Sequence, residues 1–131
     1  MNAPQTLPLP TEPTVLAPDG SEVRVLLAAS GGSMAHFTLP AGAVAKAVTH
    51  RTVDELWFVV SGAGEMWRRH GEQQDIVRLV PGLCLSIPQG THFQFRAAAD
   101  QSVSAVAVTM PPWPGESEAI FVDGVWTPTV G

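Results

Sequence analysis

The stretch "VTHRTVDELWFVVSG", residues 48–62, decides how the rest of the chain is read. It carries His50, then Glu55 after four intervening residues, then an apolar run that closes at Gly62. Successive side chains on a strand point to opposite faces, so Glu55, Trp57 and Val59 share one face. A carboxylate opening such a strand is either a solvated strand end or a functional group turned into a cavity. With His50 just ahead of it, the spacing looks like half of a metal site, and the question becomes where further ligands could lie.

Outward from this segment the chain reads as short strands punctuated by turns. "EVRVLLA" from Glu22 alternates with period two, and "MAHFTL" (34–39) stops at Pro40 and Gly42. "GEMWRR" (64–69) returns from the apolar strand, "HGEQQ" (70–74) is expected to be a loop, and "DIVRLVPG" turns at Pro81–Gly82. "LCLSIP" and "THFQFRA" flank the turn "PQG", and "SVSAVAVTM" follows the small loop "AAADQ". The Ala-rich "AGAVAKAV" has helical propensity. The Pro and Gly around its start and the β-branched residues beyond it favour an extended connection. About eight or nine short strands with no long helix describe an all-β sandwich or closed barrel.

Composition bounds the function. The chain of 131 residues has room for one domain with a continuous core. Five of its twelve prolines fall in residues 1–18, which read as an extended arm ahead of a single domain over 19–131. Net charge is −5, and the basic residues cluster only at Arg68–Arg69, so nucleic-acid binding is not expected. The N-terminus has neither the basic nor the apolar region of a signal peptide, and no apolar stretch is long enough to span a bilayer. A cytoplasmic protein without a membrane partner is the expectation. Cys84 is the one cysteine and sits in an apolar run, where a small buried hydrophobe is the expected role.

Two spaced motifs carry a family resemblance. Gly42, five residues, Val48, Thr49, His50, four residues, Glu55, six residues and Gly62 match the outer spacing of the first cupin motif, G-x5-H-x-H-x3–4-E-x6-G. "GLCLSIPQGTHFQFRA" approaches the second, G-x5-P-x-G-x2-H-x3-N, with Gly82, Pro88 and Gly90 in place. The chain therefore resembles the cupin superfamily over about half its length. The resemblance implies an all-β, jelly-roll, double-stranded β-helix barrel, and dimers are common in that family. A homodimer is the expected assembly.

The family's metal site takes two histidines and a glutamate from the first motif and a histidine from the second. Position by position, these fall on Val48, His50, Glu55 and, aligned without a gap, Phe93; Ala97 stands where the family has Asn. Val48 cannot coordinate a metal. A one-residue deletion would bring His92 to the fourth position instead, and a bulge near Gly90–Thr91 could turn it inward. With His92 inward, His50, Glu55 and His92 make a set suited to iron, manganese, nickel or zinc. With Phe93 inward, only two ligands remain and a metal-free cavity follows.

Trp57, Val59, Trp67, Phe93 and Phe95, with Val48, are candidates for the apolar walls of a substrate pocket. His36 is a possible substitute ligand from a neighbouring strand, and His70 is expected to be a solvated loop residue. Gln94 and Arg96 belong on the face opposite Phe93, at the surface. "TMPPWPG" (109–115) is stiff and suited either to covering the cavity mouth or to packing on a second subunit. Three functions remain open on these residues. The first is a small-molecule-binding cupin with an incomplete metal site, using His50 and Glu55 for isomerase-, lyase- or cyclase-type proton transfer. The second is a metal-dependent dioxygenase using His50, Glu55 and His92. The third is a metabolite-binding module without chemistry.

Overall fold

The computed structural model describes residues 3–130. Eleven strands run in chain order: β1 (Val15–Leu16), β2 (Glu22–Ala29), β3 (Gly32–Leu39), β4 (Val48–His50), β5 (Asp54–Gly62), β6 (Gly64–His70), β7 (Gln73–Leu79), β8 (Cys84–Ile87), β9 (His92–Ala97), β10 (Val103–Met110) and β11 (Ala119–Phe121). A single 3-10 turn, Glu116–Glu118, precedes β11. The expected loop at 70–74 is mostly strand, because β6 and β7 pair as far as His70 with Gln73 and leave only Gly71 and Glu72 to turn. The Ala-rich segment 41–48 is extended, as its flanking Pro and Gly dictate. No helix is long and apolar enough to cross a membrane among the described residues.

The strands form two antiparallel sheets. The first has the order β1-β2-β3-β10-β5-β8 and the second β11-β4-β9-β6-β7. This is a double-stranded β-helix topology. Among the described residues no strand pairing joins the two sheets, so the expected closed barrel is a sandwich whose ends stay open. Strand alternation places the core between them: Glu55, Trp57 and Val59 of β5 are buried, while Leu56, Phe58 and Val60 are exposed on the outer face. Leu39, Met66, Leu79, Ile87, Phe95 and Val103 fill the inner space. Gly62 ends β5 with φ 87°, and a Cβ there would strike the Ser102 carbonyl, so the turn into β6 requires glycine.

Two terminal segments complete the sandwich. Arg24 donates to the carbonyls of Pro10 and Thr11 and holds the proline-rich arm against the first sheet. At the other end Gln94 is fully buried under the C-terminal tail. Its Oε1 accepts from the N–H groups of Val125 and Trp126, and its amide donates to the carbonyls of Ala45 and Trp126. The expected surface position of Gln94 is corrected by this tail, which covers the outer face of the second sheet. Arg96 nearby pairs with Glu65 at 2.6 Å and lies 4.1 Å over the Trp126 ring. Cys84 is exposed, not buried: alternation along β8 turns Leu85 and Ile87 inward and Cys84 outward.

Candidate functional site

The register between β4 and β9 builds the site. Val48 lies opposite Phe93, and Thr49 lies opposite His92. Directly opposed residues share a face, so Val48 and Phe93 both point between the sheets. His92 points away: its Nδ1 is 3.3 Å from Nη2 of Arg69 on the outer face. Burial, then the Arg69 charge, hold its pKa below the usual histidine value. The proposed ligand set of His50, Glu55 and His92 is therefore not brought together. The ungapped alignment describes the chain, and no bulge at Gly90–Thr91 redirects the strand.

His50 and Glu55 do meet. Both line a cavity of about 340 Å³ between the sheets, together with Val48, Trp57 and Phe93. His50 Nδ1 is 3.3 Å from Glu55 Oε1, within ion-pair reach. The alignment is not that of a hydrogen bond, and His50 Nδ1 has no hydrogen-bond partner in the protein. The other carboxyl oxygen, Oε2, accepts the indole N–H of Trp57 at 2.7 Å. The imidazole is held edge-on between two rings, Phe93 at 5.2 Å and Trp113 at 5.1 Å between centroids. Trp57 stacks on Phe37 at 5.7 Å and meets Phe95 edge-on at 5.0 Å.

Burial sets the charge state of this pair. It pushes the Glu55 carboxyl up to about 8, with the Trp57 donor opposing and the nearby Asp19 adding to the rise. It lowers His50 to about 4, with only the Glu118 charge opposing. Near neutral pH the site therefore presents a protonated carboxyl beside a neutral imidazole, a proton donor and a proton acceptor.

The other candidates fall elsewhere. Val59 and Phe95 are buried in the core and do not line the cavity. Trp67 is on the outer face of the second sheet, opposite Gln94, with its N–H on Gln74 Oε1 at 2.9 Å. The register of β6 against β9 turns Met66, not Trp67, toward Phe95 and the core. His36 lies opposite Arg24 and Val106 on the outer face of the first sheet, while Phe37 takes the cavity side. His70 bonds Thr91 Oγ1 at 3.0 Å. Trp113 and Pro112 of the stiff segment close over the cavity beside His50.

Two acidic residues of the site have no motif to announce them. Asp19 lines the cavity from the turn after β1; Oδ1 accepts from the Ser21 N–H and hydroxyl, and burial raises its pKa despite those bonds. Glu118 is buried behind His50. It accepts from the Thr52 and Val53 N–H groups at 2.6 and 3.0 Å and from the Thr52 hydroxyl at 2.6 Å. Burial pushes this carboxyl up, but those donors and His50 outweigh it and leave the pKa low. Glu118 thereby pins the turn that joins His50 to Glu55.

A divalent metal does not fit these residues. Two of the four positions that the resemblance assigns to ligands hold the hydrocarbon side chains of Val48 and Phe93, and Glu55 already shares one oxygen with Trp57. Among the described residues no group of three or more His, Cys, Asp or Glu is placed to hold an ion. Two protein ligands fall short of the three or four that hold such ions.

Fold, motif spacing and an inward-facing His–Glu pair define a cupin with a degenerate metal site. Residues 35–109, more than half the chain, match the family model for the cupin domain, and the chain belongs to the cupin family. No curated protein matches it in sequence. Among solved structures, a cupin protein from Bacteroides fragilis is similar over 97% of this chain and 99% of its own, at 21% identity and a TM-score of 0.65. KdgF from Halomonas sp. is similar over 70% of this chain and 81% of its own, at 21% identity and a TM-score of 0.61. Oxalate decarboxylase from Bacillus subtilis matches 79% of this chain but 28% of its own, at 14% identity and a TM-score of 0.70. These likenesses are of fold.

Proposed function

We propose that this cupin binds a small organic molecule in the cavity and moves a proton on it without a metal, with His50 as base and Glu55 as acid. The observation that carries the reading is the buried His50–Glu55 pair, 3.3 Å apart on the cavity wall, beside two metal positions filled by Val48 and Phe93. The neutral imidazole takes a proton from a carbon next to a ligand carbonyl, while the protonated carboxyl gives one to the carbonyl oxygen. The product is the enol. In a ligand with a carbon–carbon double bond β,γ to the carbonyl that enol is a conjugated dienol, and return of the imidazolium proton to the γ carbon, with the hydroxyl proton going back to Glu55, completes an isomerisation and restores both groups.

Deuterium uptake from heavy water into enolisable ketones, followed by NMR, tests the chemistry directly. With 2-tetralone as the first substrate, the protein should accelerate exchange over buffer, and His50→Gln should remove the acceleration. Exchange at the buffer rate across a panel of cyclic ketones would refute proton transfer. The second reading, a binding module, is favoured by the apolar walls and gains if ligands bind without exchange.

A further inference from the structure

The cavity that holds His50 and Glu55 has an unbalanced wall. Among the described residues the carboxyl groups of Asp19, Glu55 and Glu116 line it, and no lysine or arginine does. Asp19 Oδ1 accepts from the N–H and hydroxyl of Ser21 at 2.9 and 2.7 Å, whereas Oδ2 accepts from no protein group, in a residue only 7% exposed. Glu55 Oε2 accepts from Trp57, and Oε1 has only the 3.3 Å approach of His50. The Glu116 carboxyl at the rim, His50 Nε2 and Trp113 Nε1 also lack partners. Of these groups only the Trp113 indole must donate, and an ionised carboxylate only accepts. What the wall lacks is N–H donors and positive charge.

An ammonium group supplies both, since it brings only donors and carries the countercharge. A carboxylate or phosphate brings only acceptors and would leave its hydration to face carboxyl groups. Hydroxyl groups bring donors and acceptors together and no charge. Burial pushes up the Asp19 and Glu55 carboxyls because the cavity offers their charge no counterpart. The rings of Trp57, Phe93 and Trp113 line the same space, and an aromatic face attracts a cation. Depth then orients the ligand. Asp19 and Glu55 lie deep, whereas Val15, Leu16 and Val25 of the same lining are exposed at the mouth, Leu16 by 63%. A polar floor under a largely aliphatic rim receives a polar head first and leaves an apolar body at the mouth.

Resting on the reading of this cavity as a ligand site, we infer that its occupant is an organic amine, bound as an ammonium ion on Oδ2 of Asp19 with its apolar body against Trp113, Val15 and Leu16. Asp19 is then the residue that selects and orients the ligand. His50 and Glu55 keep the roles given above, on a carbonyl elsewhere in the same molecule.

Calorimetric titration at pH 7 with 2-phenylethylamine, 2-phenylethanol, 3-phenylpropionate and methylamine tests this. The phenylethylamine should bind at least tenfold more tightly than the alcohol or the acid, which share its ring, and than methylamine, which lacks the apolar body. Asp19→Asn keeps an oxygen for Ser21 and removes the charge, and should weaken phenylethylamine at least tenfold. Because that variant could disturb the turn after β1, a second measurement uses the unaltered chain. With ¹³C-labelled aspartate, phenylethylamine should shift the carboxyl resonance of Asp19 and leave those of the exposed Asp54 and Asp75 in place. A smaller margin in any of these comparisons, a phenylethylamine that does not bind, or binding without the Asp19 shift would overturn the inference. None of these readouts depends on turnover. Failed deuterium exchange with a bound amine removes the proton transfer and leaves the ligand class standing, whereas successful exchange with no amine bound removes only the class.

Discussion

Replacing Glu55 by Gln should reshape the dependence of stability on pH. The folded Glu55 carboxyl is raised from 4.5 to about 8. Between those values the folded state holds a proton that the unfolded state has released, so stability falls as pH rises. His50 is lowered from 6.5 to about 4, so between those values the unfolded state holds the extra proton and stability rises with pH. From pH 4.5 to 6.5 the two slopes oppose and cancel. Above 6.5 only Glu55 acts, and at about 1.4 kcal/mol per pH unit the pair's contribution falls by ~2 kcal/mol by pH 8. In Glu55→Gln that decline disappears and the rise due to His50 is unmasked. The glutamine oxygen can still accept from Trp57, so the fold should survive. Urea unfolding followed by tryptophan fluorescence at pH 5, 6.5 and 8 measures the difference. The variant should gain ~2 kcal/mol on the parent between pH 6.5 and 8. Parallel curves, or a variant that loses ground as pH rises, would mean that the folded His50–Glu55 site holds no extra proton above pH 6.5 and would refute the raised Glu55 carboxyl.

The remaining expectations concern other parts of the site. Val48→His with Phe93→His fills the two apolar positions with ligands facing His50 and Glu55; elemental analysis after incubation with nickel or zinc should show about one ion per chain in the double variant and far less in the parent. Glu118→Ala leaves the N–H groups of Thr52 and Val53 without their acceptor, and should cost about 1–3 kcal/mol by urea unfolding. The same variant should also impair proton exchange by loosening the turn between His50 and Glu55. Gln94→Leu removes four hydrogen bonds to Ala45, Val125 and Trp126. Limited proteolysis with mass spectrometry should then find new cleavage after residue 122, whereas an unchanged digest would show that packing alone holds the tail.

Much of the architecture was legible in local pattern. Period-two alternation gave Glu55, Trp57 and Val59 one face, and the Gly-Pro turns separated the strands. Those signals survive folding because they rest on the pleat and on backbone sterics, which depend only on near neighbours. The spacing Gly42–His50–Glu55–Gly62 likewise identified the pair that meets on the cavity wall. Two expectations failed on register and facing: Trp67, a candidate for the cavity wall, lies opposite Gln94 on the outer face of the second sheet, and Cys84, expected to be buried within its apolar run, points outward at the start of β8.

What the chain's linear order left open was settled by contacts between distant segments. Whether His92 or Phe93 faced inward hung on one residue of register, and the pairing of Val48 with Phe93 decided it. Asp19 and Glu118 reach the site from opposite ends of the chain, with no motif to mark them. The charge state of His50 and Glu55 follows from burial, a property of everything packed around them rather than of either residue. The sequence by itself determined which side chains alternate and where strands turn, since those depend on local stereochemistry. Only the tertiary structure decided which groups meet and which protons they keep, because proximity and desolvation exist only once the two sheets have closed over the cavity.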